Sequence, residues 1–375
     1  MDNPFQYGSP VTGEHFAGRE EELDLLVSRM VNTINVAVTS RRRIGKTSLL
    51  LRACDQVAAQ SPKGAVVFAN VFMCKDISVL ASRLVSGIYA VSGQRVRRAT
   101  QAVAEFARGL RVRPRVEIGD DGKPRFQFLG LDLTDGETII EDVYRLLNGE
   151  SAKRPAVLVL DEFQAITRFG PNMPDLFKGL ADGFRGVSLV VAGSHRRMMD
   201  ALVTGEGAPL YGMCQRLALT PVPEHVMVEY VGKRMALAGR TITPEAAVLL
   251  YRLAGPVPND VQHLAFETFE KGVNDITEEL VLAALGTTVD HEAATFADRA
   301  AELSEGQLRV VIALASLEKP GPIFTGAFAR SVGLAGGQSV KKAIATLADD
   351  DTVVREGGYW RIGNPFFAAW LRQAG

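Results

Sequence analysis

A phosphate-binding loop motif with one substitution constrains this chain more than any other segment. Residues 40–47 read SRRRIGKT and match the pattern G-x-x-x-x-G-K-[ST] at every fixed position except the first, where Ser40 replaces glycine. The apolar run 34–38 before the motif predicts a buried strand, and residues 48–53 after it predict the first turns of a helix. Strand, loop and helix in this order let the loop N–H groups and the helix N-terminus face one anion.

The motif assigns a role to most residues of the loop. Lys46 would reach the β and γ phosphates of a bound nucleotide, and Thr47 would be a ligand of Mg²⁺. A chance occurrence of Gly-Lys-Thr is the alternative. The nucleotide contacts predicted here come from Arg43, Ile44, Gly45, Lys46, Thr47 and Ser48.

A second motif follows about 110 residues later. The continuous apolar run 156–160 predicts a strand that is buried on both faces, and it ends in Asp161 and Glu162. In phosphate-loop ATPases an acidic residue at this position holds the Mg²⁺ shell. We therefore predict Asp161 as a metal ligand together with Thr47, and Glu162 as the residue that polarises the attacking water. A solvated strand end is the alternative.

A third apolar run, residues 187–193, ends in Ser194 and His195. Ser194 could contact the γ-phosphate or the attacking water, which makes it a predicted catalytic residue. Alternatively it only caps the helix that begins near Arg197. His195 is interpreted as a loop histidine.

Strands and helices alternate through residue 220, with strands expected at 34–39, 64–72, 156–160, 187–193 and 216–219. Continuous apolar strands in such an alternation predict an α/β fold with a parallel sheet covered on both faces. Ligands of such sheets bind at the carboxyl ends of the strands, where all three motifs fall.

Composition excludes several classes of protein. The chain has 375 residues, 47% of them hydrophobic and 23% charged, and its formal net charge of −1 gives no overall signature of a polyanion-binding protein. Its three cysteines show no C-x-x-C spacing, which argues against a zinc site and a disulfide framework. The N-terminus is neither basic nor apolar, and no apolar run is long enough to cross a bilayer. We expect a cytoplasmic protein without membrane contact.

Residues 91–115 interrupt the alternation and contain seven arginines against one acid, Glu105. We expect a basic helix here, followed by a hairpin that pairs 116–118 with 126–128 around an Asp-Asp-Gly turn. This insertion could contact nucleic acid or an acidic partner. Alternatively it is a solvated helix whose apolar residues face the core. The arginines are at positions 95, 97, 98, 108, 111, 113 and 115.

The chain then becomes helical. From residue 223 to about 286 the pattern predicts a helical lid whose Pro-Val-Pro turn, at residues 256–258, would approach the nucleotide base. Upstream, the turn at Gly18 and Arg19 before the first helix is a candidate adenine cradle, although it could be a simple helix start.

The last segment has the element order of a winged helix. Helices are expected at 304–317, 325–332 and 338–347, then a hairpin of 353–355 and 359–362, then a helix at 364–371. The third helix offers Lys341 and Lys342 but ends in three aspartates, and the net charge of 304–375 is +2. This is a weak electrostatic footprint for DNA. DNA contact and a protein-contact or regulatory role are both left open.

Taken together, these residues resemble the archaeal-type ATPases of the STAND branch, relatives of the AAA+ ATPases, in the version common in bacteria. The resemblance covers nearly the whole chain. It rests on residues 3–5, 16–20, 42–49, 160–164, 192–194, 209–212, 362–367 and Trp370. It implies ATP binding with Mg²⁺, slow hydrolysis coupled to a conformational switch, and nucleotide contacts from Phe16, Gly18, Arg19 and Pro258.

The chain departs from that family at three points. Ser40 replaces the first loop glycine, and Pro256 stands where the family has glycine in a Gly-x-Pro turn. Met213 stands where an arginine is usual, so the arginine finger is assigned to Arg216, with Arg197 as the alternative. Without such an arginine, turnover falls by about 10³–10⁵.

These inferences divide the chain into an ATPase core (1–222, with the insertion at about 91–135), a helical lid (223–302) and a winged-helix domain (303–375). The leading hypothesis is an ATP-driven switch that couples nucleotide state to the winged helix and acts on a protein partner. The alternatives are a nucleotide-regulated DNA-binding regulator and an ATP-binding scaffold without useful turnover. Oligomerisation is compatible with each.

Overall fold

The computed structural model of the chain describes residues 2–11, 13–61, 64–93, 113–118, 124–129, 136–151, 155–317 and 321–374. Its residues fall into two compact units. The sheet unit consists of Arg19–Arg41 and Gly45–Thr220, and the helical unit consists of Met1–Gly18, Arg42–Ile44 and Pro221–Gly375. The division into domains at 222 and 302 stays a prediction. No helix among the described residues is long and apolar enough to cross a membrane.

The strands, in chain order, are β1 (Val36–Thr39), β2 (Ala65–Asn70), β3 (Arg113–Ile118), β4 (Pro124–Leu129), β5 (Ala156–Asp161), β6 (Val187–Gly193), β7 (Gln215–Ala218), β8 (Thr241–Ile242), β9 (Asp275–Ile276), β10 (Val353–Glu356) and β11 (Tyr359–Ile362).

The helices, in chain order, are α1 (Glu20–Val31), α2 (Lys46–Gln60), α3 (Ile77–Gly93), α4 (Gly136–Ser151), α5 (Met173–Gly183), α6 (Arg196–Val203), α7 (Glu224–Leu237), α8 (Pro244–Ala254), α9 (Pro258–Glu270), α10 (Glu278–Ala301), α11 (Glu305–Ala315), α12 (Gly326–Ser331), α13 (Gly337–Asp349) and α14 (Pro365–Ala374).

The sheet unit is built on five parallel strands in the order β2-β5-β6-β1-β7. Every residue of β5 and β6 is buried, as their unbroken apolar runs predict for strands covered on both faces. Helices α3 and α4 pack together beside β2, and the buried ring of Tyr144 in α4 meets the buried ring of Phe177 in α5 edge to face. The expected parallel α/β sheet is confirmed.

The strand order brings the three motifs together. β6 lies between β1 and β5, so the loop after Thr39, the acidic pair at Asp161 and the turn at Ser194 are at neighbouring strand ends. Thr39 pairs with Gly193, and Leu160 pairs with Val191. The carboxyl edge of the sheet is therefore the place where their side chains can act on one ligand.

The insertion contains the expected hairpin, which is longer than predicted. β3 and β4 pair antiparallel with Arg113 opposite Leu129 and Ile118 opposite Pro124. Arg113 and Arg115 belong to β3, so their assignment to a basic helix is wrong. The other five of the seven arginines of residues 91–115, and the apolar residues expected to face the core beside them, lie outside the described residues.

The helical unit follows the predicted order of elements. Helices α7 to α10 precede α11, α12, α13, the antiparallel β10–β11 hairpin and α14, which is the order of a winged helix with one added helix. One hydrophobic core runs through this unit and includes Leu264 of α9, Phe296 of α10, Val310 of α11 and Phe366 of α14. The ring of Phe296 also packs against Trp370.

Helix starts in this unit show which sequence signals hold. Pro244 opens α8, with Thr243 accepting a hydrogen bond from the Ala246 N–H. Asn259 and Asp260 are residue types that often cap a helix, but α9 already begins at Pro258, so neither is its N-cap. Proline suits the first helical position since its φ is already helical and no N–H is needed there.

Candidate functional site

In the sheet unit, Ser40 follows β1 and Gly45 directly precedes α2, so these two residues mark the ends of the phosphate loop. Gly45 has a φ of +91°, a left-handed conformation that favours glycine, and Lys46 is the first residue of the helix. The first N–H groups of a helix lack partners within it, so the start of α2 can donate to an anion. Ser40, which replaces the first glycine of the motif, is buried and does not have a positive φ. The backbone at this position therefore does not require glycine.

Lys46 and Thr47 both meet the acidic end of β5. The Lys46 ammonium forms a buried ion pair and a hydrogen bond with Asp161 Oδ1. Thr47 Oγ1 donates to Asp161 Oδ2 at 2.7 Å, and the Glu162 N–H donates to Asp161 Oδ1 at 2.9 Å. Asp161 is fully buried, and these three donors satisfy its carboxylate.

The same residues fit a magnesium ion. Thr47 Oγ1 and Asp161 Oδ2 place a hydroxyl and a carboxylate oxygen side by side. Mg²⁺ keeps several waters and takes one or two protein oxygens together with substrate phosphates, instead of a cage made only of protein. Within the described ranges there is no cluster of three or more His, Cys, Asp or Glu that could hold a metal alone.

Glu162 lies at the centre of a hydrogen-bond network. Its Oε1 accepts from Lys46 Nζ at 3.0 Å and from Ser194 Oγ at 3.0 Å. Its Oε2 accepts from Gln164 Nε2 at 2.6 Å, from Ser194 Oγ at 2.9 Å and from the Ser194 N–H at 3.4 Å. Glu162 has a φ of +53°, uncommon for a residue with a side chain.

The network fixes the charge of Glu162. Burial alone would raise the pKa of this carboxyl, but the Lys46 ammonium and the hydrogen bonds from Gln164, Lys46 and Ser194 outweigh burial and hold the pKa below its usual range. Glu162 is therefore ionised at neutral pH, as a residue that accepts a proton from water must be.

Ser194 does not cap the helix after β6, so that alternative is wrong. Helix α6 begins at Arg196, and His195 is its N-cap residue, with its side chain accepting from the Met198 N–H at 3.5 Å. His195 therefore has a capping role beyond that of a loop histidine. Ser194 instead hydrogen-bonds to Glu162, the residue predicted to polarise the attacking water. A contact of Ser194 with the γ-phosphate or the water stays a prediction.

Arg216 lies in β7 opposite Ala37 and forms an ion pair with Asp200 of α6 at 3.1 Å. Both side chains are about half exposed. An ion pair with an acidic residue is the alternative role for Arg216. Its assignment as the arginine finger stays a prediction.

The turn before α1 has structural contacts on both of its residues. In the sheet unit, the buried Arg19 donates to the Thr220 carbonyl at 2.6 Å and to Glu22 at 2.7 Å. In the helical unit, Gly18 has a φ of +69°, and a Cβ there would lie 2.6 Å from Val222 Cγ1. Phe16 is half-buried. The roles of Phe16, Gly18 and Arg19 at the adenine stay predictions.

The helical unit contains a buried charge that sequence reasoning missed. Asp260, in the first turn of α9, is 2% exposed, and Arg43 approaches its carboxylate at 3.5 Å. Burial raises the pKa of Asp260, and Arg43 and the Asn259 amide offset part of that effect. Arg43 and Pro258, the first residue of α9, thus have visible structural roles, and their nucleotide contacts stay predictions. Spacing alone gave no signal for this pair.

Comparison with known proteins agrees with the architecture. A family model described as a probable winged helix domain matches residues 294–373. The structure is similar over 98% of this chain to the Walker-type ATPase PABY2304 of Pyrococcus abyssi, over 99% of that chain, with a TM-score of 0.69 at 16% identity. It is also similar to the ORC2 protein of Aeropyrum pernix, with a TM-score of 0.54 at 14% identity and coverage of 95% of this chain and 94% of that chain. No protein of curated function matches the sequence significantly.

The fold is therefore that of a phosphate-loop ATPase with a C-terminal winged-helix domain. The expected likeness to archaeal-type ATPases is confirmed at the level of the fold, and the assignment to the STAND branch and to its bacterial version stays a prediction. Sequence identities of 14–16% show only that the fold is shared. The chemistry of this chain depends on its own residues.

Proposed function

We propose that this chain binds ATP with Mg²⁺ at the loop of residues 40–47 and hydrolyses it slowly, as a switch that couples nucleotide state to the winged-helix domain. The observation that supports this most is the network of Lys46, Thr47, Asp161, Glu162 and Ser194 at the carboxyl edge of one parallel sheet. It combines an ammonium group that can bind phosphate, a pair of oxygens that can bind a metal ion, and an ionised carboxylate.

Each of these residues has a defined task in the proposed reaction. Lys46 exchanges its contacts with Asp161 and Glu162 for the β and γ phosphates. Thr47 and Asp161 would hold Mg²⁺, which supplies charge neutralisation at the phosphate oxygens. Glu162 accepts a proton from water as the water oxygen bonds to the γ-phosphorus and the bond to the bridging oxygen breaks, which releases ADP and phosphate. Ser194 would sense the γ-phosphate or the water.

Calorimetric titration with ATP and Mg²⁺ tests the binding step. Lys46→Ala should lower the affinity at least tenfold, which corresponds to about 1.4 kcal/mol. Lys178→Ala, which removes an exposed lysine of α5, is the matched control and should leave the affinity unchanged. The titrations are made at a temperature where the circular dichroism of each variant shows a folded protein. An affinity of folded Lys46→Ala equal to that of the wild type would mean that this loop does not hold phosphate.

A second candidate function is nucleotide-regulated DNA binding. The family model covers the winged helix, and Lys341 and Lys342 are both exposed on α13. Asp350, at the end of that helix, is paired with Arg299, which neutralises part of the acidic run that would repel phosphates. Duplex binding that weakens steeply with salt and depends on Lys341 and Lys342 would favour this candidate. Salt-independent or absent binding would remove it.

A further inference from the structure

Gln164 contacts the proposed base, and neither the loop motif nor the acidic motif assigns it a role. It lies in the 3₁₀ turn Phe163–Phe169 and is 8% exposed. Its Nε2 donates to Glu162 Oε2 at 2.6 Å, and its Oε1 is buried without a hydrogen-bond partner among the described residues. The opposite amide orientation would place two acceptor oxygens against each other, so the carboxylate itself fixes this one.

The turn that carries Gln164 is rigidly packed. Phe163, Ala165 and Ile166 are buried around it, and the Phe163 ring meets the Phe177 ring edge to face at 5.7 Å. The buried side chains of this turn therefore hold the Gln164 amide in place next to Glu162.

Gly193 provides the space for the amide. A Cβ at position 193 would lie 2.2 Å from Gln164 Oε1 and 2.5 Å from both Cγ and Sδ of Met199. The φ of Gly193 is not among the positive values, so its conformation makes no demand for glycine. The close approach of Gln164 and Met199 is what excludes a side chain there.

The donors around Glu162 differ in how permanent they are. Lys46 leaves Oε1 when it turns to phosphate, and the Ser194 hydroxyl has one proton, which it can give to only one oxygen at a time. Among the residues that the structure describes, the Gln164 amide N–H has no other acceptor, so it stays on Oε2.

We propose that Gln164 is a positioning residue that holds Oε2 of Glu162, so that Oε1, once Lys46 has left it, is the atom that accepts the proton of the attacking water. Gly193 is also needed for this positioning, because the lack of a side chain at position 193 leaves room for the Gln164 amide. The inference rests on the proposed ATPase function and deepens it.

The test compares single-turnover ATP hydrolysis and ATP affinity in Gln164→Leu and Gln164→Asn. Leucine keeps the bulk without a donor, and asparagine keeps the amide but is one methylene too short to reach Oε2. Both should lower the hydrolysis rate about 10–100-fold, because misplacing a reacting group by about 1 Å costs about 10²-fold. Their ATP dissociation constants should stay within about threefold of the wild type. Ile166→Val, in the same turn, is the control and should keep the wild-type rate.

The split between hydrolysis rate and ATP affinity separates positioning from packing. A positioning role requires both Gln164 variants to lose rate at nearly unchanged ATP affinity, and Ile166→Val should change neither quantity. Gly193→Ala should behave like the Gln164 variants.

Two results overturn the inference while leaving the proposed function intact. One is a rate within twofold of the wild type in the Gln164 variants when Glu162→Gln is inactive, and the other is a loss of ATP affinity as large as the loss of rate. A wild-type protein that binds ATP without hydrolysing it overturns both the inference and the hydrolytic part of the proposed function.

Discussion

Removal of the Lys46 ammonium should destabilise the sheet unit as well as weaken nucleotide binding. Lys46 is 5% exposed and Asp161 is fully buried, so Lys46→Ala leaves a buried carboxylate without its counter-ion. Removing one partner of a buried ion pair costs about 3–5 kcal/mol. Asp161 keeps the hydrogen bonds from Thr47 and the Glu162 N–H, and Glu162 is partly exposed to water. We therefore expect the lower end of that range, about 3 kcal/mol.

Urea unfolding of the nucleotide-free protein measures this loss. Far-UV circular dichroism follows both units, whereas Trp360 and Trp370, the two tryptophans of the chain, both lie in the helical unit. Tryptophan fluorescence is therefore an internal control, and its transition should move less than that seen by circular dichroism.

Asp161→Asn supplies the second half of the test. Added to Lys46→Ala, it removes the unpaired charge and should restore about 2 kcal/mol, although alone it destabilises the wild type. A loss below about 1 kcal/mol in Lys46→Ala, or a further loss on adding Asp161→Asn, would refute the reasoning.

Three further predictions follow from the rest of the molecule. Burial is the main cause that raises the pKa of Asp260, so ionising this carboxyl destabilises the folded state as the pH rises above the usual aspartate pKa of about 4. Asp260→Asn should therefore melt at a higher temperature than the wild type at pH 8, and the difference should close towards pH 4. A lower melting temperature of Asp260→Asn at pH 8 would contradict this. Burial raises the pKa of the Cys54 and Cys214 thiols to about 12, so neither should react with a thiol reagent at pH 8 until the protein unfolds. If Arg216 is an arginine finger, Arg216→Ala should slow hydrolysis at unchanged ATP affinity while Asp200→Ala does not, whereas equal effects of the two would mean that they form only an ion pair.

The sequence predicted the architecture well because the buried strands and the turns carry local signals. The apolar runs at 156–160 and 187–193 placed β5 and β6 to within a residue, and the hairpin of 353–355 and 359–362 was expected around the glycine pair at 357–358. Pairs that form only in three dimensions gave no such signal. Asp260 meets Arg43 across more than 200 residues, and nothing in either local pattern indicates it.

The site was predictable in its types of residue but not in its contacts. Lys46, Thr47, Asp161 and Glu162 follow from motif spacing, and the structure brings them within hydrogen-bond distance of one another. The contact of Gln164 with Glu162 was missed because a glutamine two residues after an acidic pair has no defined direction until the backbone turns, and that turn depends on the positive φ of Glu162.

The most direct test of the central claim is single-turnover hydrolysis of ATP by the wild type and by Glu162→Gln, with ATP affinity measured on the same preparations. Glutamine keeps the shape of Glu162 but cannot accept the proton of the attacking water. We predict an ATP dissociation constant within about threefold of the wild type and hydrolysis slower by about 10²–10⁴-fold. Hydrolysis by Glu162→Gln at the wild-type rate would contradict the account.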